Sequence, residues 1–166
     1  LQLLQRHIDD GARIDALLAH CHALYDARTH DGLPLRPGIL ELLELLKEHG
    51  VPRAVATSTR QPRASRKLAA SGLLHYFDTV VTSSDVQHPK PAPDIYLLAA
   101  QRLGKEPTHC LALEDSPTGT RAALAAGMTT IQIPDLVHPD AAVRALGHRI
   151  VESLHDVRAL LLPLLS

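Results

Sequence analysis

Two carboxylates stand side by side at Glu114 and Asp115, inside the run C-L-A-L-E-D-S-P-T-G of residues 110–119. Adjacent carboxylates need a proton or a counterion, and a hard cation with oxygen ligands, Mg2+ above all, is the economical partner. Lys90 is bracketed by Pro89, Pro91 and Pro93, whose fixed φ restricts the backbone and lets an ammonium be aimed with less loss of entropy. Thr57, Ser58 and Thr59 form a cluster of hydroxyls. Hydroxyl and backbone N–H donors, one ammonium and a carboxylate pair for a divalent cation make a phosphate site. Phosphoryl transfer asks mainly for positioning and charge neutralisation. Taken singly, each group has an ordinary reading: Asp115 as a helix cap, Lys90 as a surface lysine in a proline-rich connection, Thr57 as a strand end. Only the joint pattern is specific.

The elements that must position these groups alternate along the chain. Helical periodicity at three- and four-residue steps places helices near residues 38–49, 62–70, 95–103, 117–126 and 141–146. Between them lie short apolar runs of strand length, near 53–56, 79–81, 111–113, 130–133 and 149–151. A last helix starts at Ser153-Leu154-His155-Asp156, which has capping-box spacing, and is expected to end before Pro163. Ser116 and Pro117 suit the first positions of the helix after Glu114-Asp115. Apolar strands without polar alternation, each followed by a helix, are the pattern of a parallel α/β sheet covered on both faces. Thr57-Ser58-Thr59, Lys90 and Glu114-Asp115 each follow the C-terminal end of a strand. In an open parallel sheet these ends share one rim, where ligands bind.

Ahead of this core, residues 1–8 carry a short helical pattern stopped at Asp9-Asp10-Gly11, and a second helix runs through Ile14, Leu17, Leu18, Cys21, Leu24 and Tyr25. Its His20-Cys21-His22 triplet is not a ligand set, since consecutive helical residues point about 100° apart. His22 and Asp26 have four-residue spacing, but a solvated pair is the simpler reading. Breaker residues across 29–37 mark a hinge, which divides the chain into residues 1–32 and 33–166. At 166 residues and 45% hydrophobic composition the chain suits one well-filled core, aliphatic because it has no Trp, one Phe and three Tyr. A net charge of −1 gives no electrostatic reason to expect nucleic acid or an acidic membrane surface as a partner. No apolar run reaches membrane-spanning length. Cys21 and Cys110 lie far apart, which fits a reduced, cytoplasmic compartment better than a disulfide framework.

The order Thr57, then K-P-A-P-D at 90–94, then L-E-D-S-P-T-G at 113–119 resembles the haloacid dehalogenase (HAD) superfamily, in its branch similar to β-phosphoglucomutase and the small-molecule phosphatases. The resemblance implies a HAD-like Rossmannoid core after a helical cap whose C-terminal part is residues 1–32. It implies that Thr57 hydrogen-bonds the transferring phosphoryl group and that Lys90 offsets the charge of nucleophile and phosphate. Glu114 and Asp115 would hold Mg2+, and Ser58, Thr59, Arg60 and Ser116 would contact phosphate or substrate. The expected partner is a small phosphorylated metabolite, bound by a protein that is monomeric at full length. The family's D-x-D-x-[TV] motif, source of the aspartate nucleophile, has no counterpart here; Asp9-Asp10 follows no apolar strand. The motif and its strand are therefore expected upstream of Leu1, that strand lying mid-sheet between those ending at Thr57 and Glu114. The 166 residues alone would then be inactive and marginally stable.

Three other readings use the same residues. A phosphosugar mutase is the same-site variant. A silent binding or regulatory module would account for the lack of a nucleophile. A phosphoreceiver domain also uses Thr, Lys and paired acids, but there the acids come first and the lysine last. A haloalkanoic acid dehalogenase does not suit an acidic pair built for a metal.

Overall fold

The computed structural model describes residues 11–28 and 34–165. Contacts divide the chain into two units, 1–34 and 35–166. The first contributes one described helix, α1 (Gly11–Arg28), longer at both ends than the pattern from Ile14 to Tyr25. Asp9, Asp10, the expected helix over 1–8 and the side chains of His22 and Asp26 lie outside what is described.

The second unit holds α2 (Ile39–Glu48), β1 (Ala54–Thr57), α3 (Arg63–Ala70), β2 (Thr79–Thr82), α4 (Asp94–Arg102), β3 (Leu111–Glu114), α5 (Pro117–Ala125), β4 (Thr129–Gln132), α6 (Ala141–Arg144), β5 (Arg149–Ile150) and α7 (Leu154–Leu165). Every described strand pairing is parallel: β1 with β2, β3 with β4 and β4 with β5. The expected α/β class with a helix-flanked parallel sheet is what forms. The strands make two ladders, β1-β2 and β3-β4-β5, with no hydrogen-bonded pairing between the ladders among the described residues. Register brings Thr57 opposite Thr82 and Glu114 opposite Gln132, so paired strands end level.

Side-chain alternation along the strands sorts the core into two layers. Ala112 belongs to a cluster with Val81, Ile95, Tyr96, Ala99, Ala100, Ala122, Ala123, Ala126 and Met128, against which Ala54 and Ala56 pack. Alanine lets α4 and α5 lie close to the strands, which is how an aromatic-poor chain still fills its interior. Ile131 and Ile133 point the other way, toward Leu42 of α2 and Leu154 and Val157 of α7, joined by Leu113.

Local chemistry fixes the helix ends. Ser116 Oγ accepts from Gly119 N–H at 3.0 Å, and Asp140 caps α6 by accepting from Val143 N–H at 2.8 Å. Before α7, Ser153 Oγ accepts from Asp156 N–H at 3.2 Å while Asp156 Oδ2 accepts from Ser153 N–H at 2.9 Å, completing the reciprocal box. The helix does not stop ahead of Pro163, which lies within it. Pro163 forgoes one backbone bond on an exposed face in the last turn, where helical bonds are cheapest to lose. Cys110 sits just before β3 and is half-buried. Arg36 fastens the start of the unit to the exit of β4, donating to the carbonyls of Ile133 at 3.0 Å and Pro134 at 3.2 Å.

Candidate active site

Four segments deliver the chemistry-bearing groups, and Lys90 joins them. Its ammonium donates to the Ala56 carbonyl near the end of β1 at 3.1 Å, to the Tyr96 hydroxyl on α4 at 3.1 Å and to Glu114 Oε1 at the end of β3 at 2.5 Å. The Lys90 and Glu114 side chains are 9% and 7% exposed, so this ion pair is largely out of water. Such a pair holds only when its remaining donors and acceptors are satisfied. Here they are. The Tyr96 hydroxyl donates to the same Oε1, and the Tyr96 ring centroid lies 4.7 Å from the Lys90 ammonium, within cation–π range. Ser116 donates to Glu114 Oε2 through Oγ at 3.1 Å and through N–H at 3.5 Å. Burial, then the Glu114 charge, raises the Tyr96 phenol well above its ordinary range, so the hydroxyl stays protonated and remains a donor.

Gly119 makes this packing possible. A Cβ built there would lie 2.0 Å from Glu114 Oε2 and 2.1 Å from its Cδ. The Glu114 carboxylate thus occupies the space against the first turn of α5 that any other residue at 119 would fill.

The loops are fastened in turn. Thr57 Oγ1 accepts from Thr59 N–H at 3.1 Å, folding the turn after β1, and Ser84 Oγ accepts from Gln61 N–H at 3.2 Å, tying that turn to the loop after β2. Ser58 and Arg60 are exposed and Thr59 is half-buried. On the path to Lys90, the Asp85 carboxylate accepts from Thr82 N–H at 2.8 Å and Thr82 Oγ1 at 2.5 Å, and from Arg102 at 2.7 Å. The Thr82 hydroxyl first, then Arg102, hold its carboxyl down at about 2.

The structure therefore brings Lys90 and Glu114 into contact and sets Thr57 directly after the residue whose carbonyl Lys90 holds. Ser116 is engaged with Glu114 and with the α5 N-terminus. Asp115 differs from Glu114: it is exposed, and its carbonyl accepts from Gln132 Nε2 at 3.4 Å. Among the described residues no group of three or more His, Cys, Asp or Glu converges.

Sequence reasoning missed Tyr96, counting it only among the few aromatics, and gave Gly119 no role. The signal for Tyr96 was its place six residues past Lys90, in the first turn of a helix leaving the rim. For Gly119 it was a glycine in the first turn of the helix that follows the Glu114-Asp115 pair, where glycine is otherwise unfavourable.

Comparison with known proteins identifies the family. A family model described as haloacid dehalogenase-like hydrolase matches residues 2–127. The chain is 47% identical over 96 residues to fructose-1-phosphate phosphatase YqaB of Escherichia coli (strain K12), covering 57% of this chain and 51% of that protein. It is 37% identical over 125 residues to a phosphorylated carbohydrates phosphatase of Thermotoga maritima, covering 75% and 50% respectively. A solved HAD hydrolase, family IA, variant 3, from Entamoeba histolytica superposes with a TM-score of 0.77 at 26% identity, over 93% of this chain and 71% of that one. The chain spans about half the length of the curated relatives it matches.

Proposed function

Because the chain belongs to the haloacid dehalogenase-like hydrolase family, we propose that the protein containing it is a Mg2+-dependent phosphohydrolase acting on a small phosphorylated metabolite through an aspartyl-phosphate. Sugar phosphates are the favoured class, since the YqaB and Thermotoga maritima relatives are named as phosphatases of phosphorylated sugars or carbohydrates. The observation that carries the reading is the Lys90 ammonium, which links Ala56 at the end of β1 to Glu114 at the end of β3. A positive charge at that junction is where a phosphoryl group bound between the two strand ends would need it.

In this reading Thr57 and the N–H groups of its turn orient the phosphoryl oxygens, and Lys90 offsets their charge. Ser58, Thr59 and Arg60 offer further donors to phosphate or substrate from the same turn. Ser116 supports the acidic turn, and of Glu114 and Asp115 the second has the carboxylate open to a cation. Mg2+, when bound, would supply neutralising charge to the transferring group. The nucleophilic aspartate belongs to a strand outside these 166 residues, pairing with the edges of β1 and β3 that face away from β2 and β4. Support comes from the backbone alternation. Arg53 and Cys110 give their carbonyls to Asp78 on the β2 side and Thr129 on the β4 side, so the peptide groups of Ala54, Ala56, Leu111 and Leu113 face the opposite way. In this reading residues 1–32 are the C-terminal part of a helical cap. The protein is taken as a cytoplasmic monomer with no nucleic-acid or membrane partner. Cys21 and Cys110 are both free thiols, and no described helix is long and apolar enough to cross a membrane.

The test is phosphate release from a broad panel of small phosphate esters, with and without Mg2+, by the protein expressed with its upstream reading frame. Mg2+-dependent release is expected, strongest on sugar phosphates and reduced about 10²-fold or more by Lys90→Ala. No release from any ester, or Lys90→Ala matching wild type, removes the reading.

A further inference from the structure

The acidic turn holds two carboxylates in unlike surroundings, and the difference runs through Tyr96. A lysine ammonium has three N–H donors. Those of Lys90 are met by the Ala56 carbonyl, the Tyr96 hydroxyl and Glu114 Oε1. The Tyr96 hydroxyl spends its one proton on that same Oε1, so the three groups close a triangle. Glu114 Oε1 thus receives two donors, and Oε2 receives two more from Ser116. A carboxylate has about four lone-pair sites, and those of Glu114 are filled from within the chain. Asp115, next in sequence, is exposed.

We propose that Tyr96 is a positioning residue of this site, whose hydroxyl locks Glu114 as the counter-charge of Lys90 and so leaves Asp115, of the two acids, to meet the cation. Its first half stands on the hydrogen bonds alone; its second half rests on the phosphohydrolase reading. The ring of Tyr96 fills the core beside Ile95 and Ala99, and phenylalanine preserves that packing, so Tyr96→Phe isolates the hydroxyl. The lysine stem is flexible, and without the hydroxyl one of the three restraints on its ammonium is gone.

Three measurements on the full protein test this. The first is a double-mutant cycle by urea unfolding. Tyr96→Phe lowers the folding constant about tenfold or more in wild type, as expected for a hydrogen bond to a charged group, but less than about threefold beside Lys90→Met. An equal effect in both backgrounds overturns the positioning role. The second is the 1H–15N resonance of the Lys90 ammonium. Exchange slow enough to observe is expected in wild type and loss of the signal in Tyr96→Phe, with the backbone amide spectrum retained; a signal unchanged in Tyr96→Phe contradicts the proposal. The third is Mn2+ affinity. Asp115→Asn weakens it about tenfold or more, while Glu114→Gln and Tyr96→Phe stay within about threefold of wild type. If Glu114→Gln does not fold, Tyr96→Phe decides this arm. A loss with Glu114→Gln equal to that with Asp115→Asn makes Glu114 a ligand and overturns the division of labour. Failure of wild type to bind Mn2+ overturns the allotment of a cation to Asp115 and tells against the metal-dependent reading, while the cycle and the ammonium resonance still decide the role of Tyr96.

Discussion

Replacing Gly119 with alanine reverses the sign that helix propensity dictates. Gly119 lies in the first turn of a helix, and its φ is not in the left-handed region. On propensity alone, alanine there would stabilise the protein by about 0.5–1 kcal/mol. The added Cβ, however, would sit 2.0 Å from Glu114 Oε2, 2.1 Å from Cδ and 2.3 Å from Oε1. A carboxylate at the end of a free side chain would swing aside at little cost. This one is held by Lys90, Tyr96 and Ser116, and moving it separates a largely buried ion pair. Breaking such a pair costs about 3–5 kcal/mol, so after the propensity gain Gly119→Ala is expected to lose about 2–4 kcal/mol in urea unfolding. The same substitution beside Glu114→Ala should recover most of that penalty, because nothing is left for the Cβ to strike. A Gly119→Ala protein as stable as wild type, or more so, refutes the reasoning about how Glu114 is held.

Other expectations are local. Asp85 has its folded pKa, about 2, below the ordinary 3.8, so its stabilisation is full above pH 4 and is lost as pH falls through about 2. Allowing for its 26% exposed side chain, Asp85→Asn should cost about 1 kcal/mol at pH 7, and unfolding curves should show the gap closing near pH 2. Asp140→Ala removes the cap on α6 and should cost about 1 kcal/mol in the same assay. Arg36→Lys keeps the charge but not the two-pronged grip on Ile133 and Pro134, and should raise amide exchange in residues 35–38 while leaving that of β4 unchanged.

What was legible in the sequence was whatever local chemistry determines. The alternation of strands and helices could be read because short apolar runs are separated by segments of helical period, and the Ser153–Asp156 box announced its helix. Residues joined over long separations were less visible. Lys90 meets Glu114 across 24 positions and Ala56 across 34, so no local pattern shows that Glu114 answers a lysine. Tyr96 reads as one more core residue because its ring is one; only its hydroxyl, aimed by the fold, gives it a second use. Pro163 reads as a stop because a missing N–H usually is one, yet in an exposed final turn the lost bond is cheap.

The most direct measurement is a crystal structure of the protein grown with Mg2+ and tungstate, a heavy phosphate mimic located by its anomalous scattering. The account expects the anion between the Thr57 hydroxyl and the Lys90 ammonium, with the cation on the Asp115 carboxylate beside it. Tungstate bound away from both Thr57 and Lys90, with Asp115 facing only solvent, would contradict it.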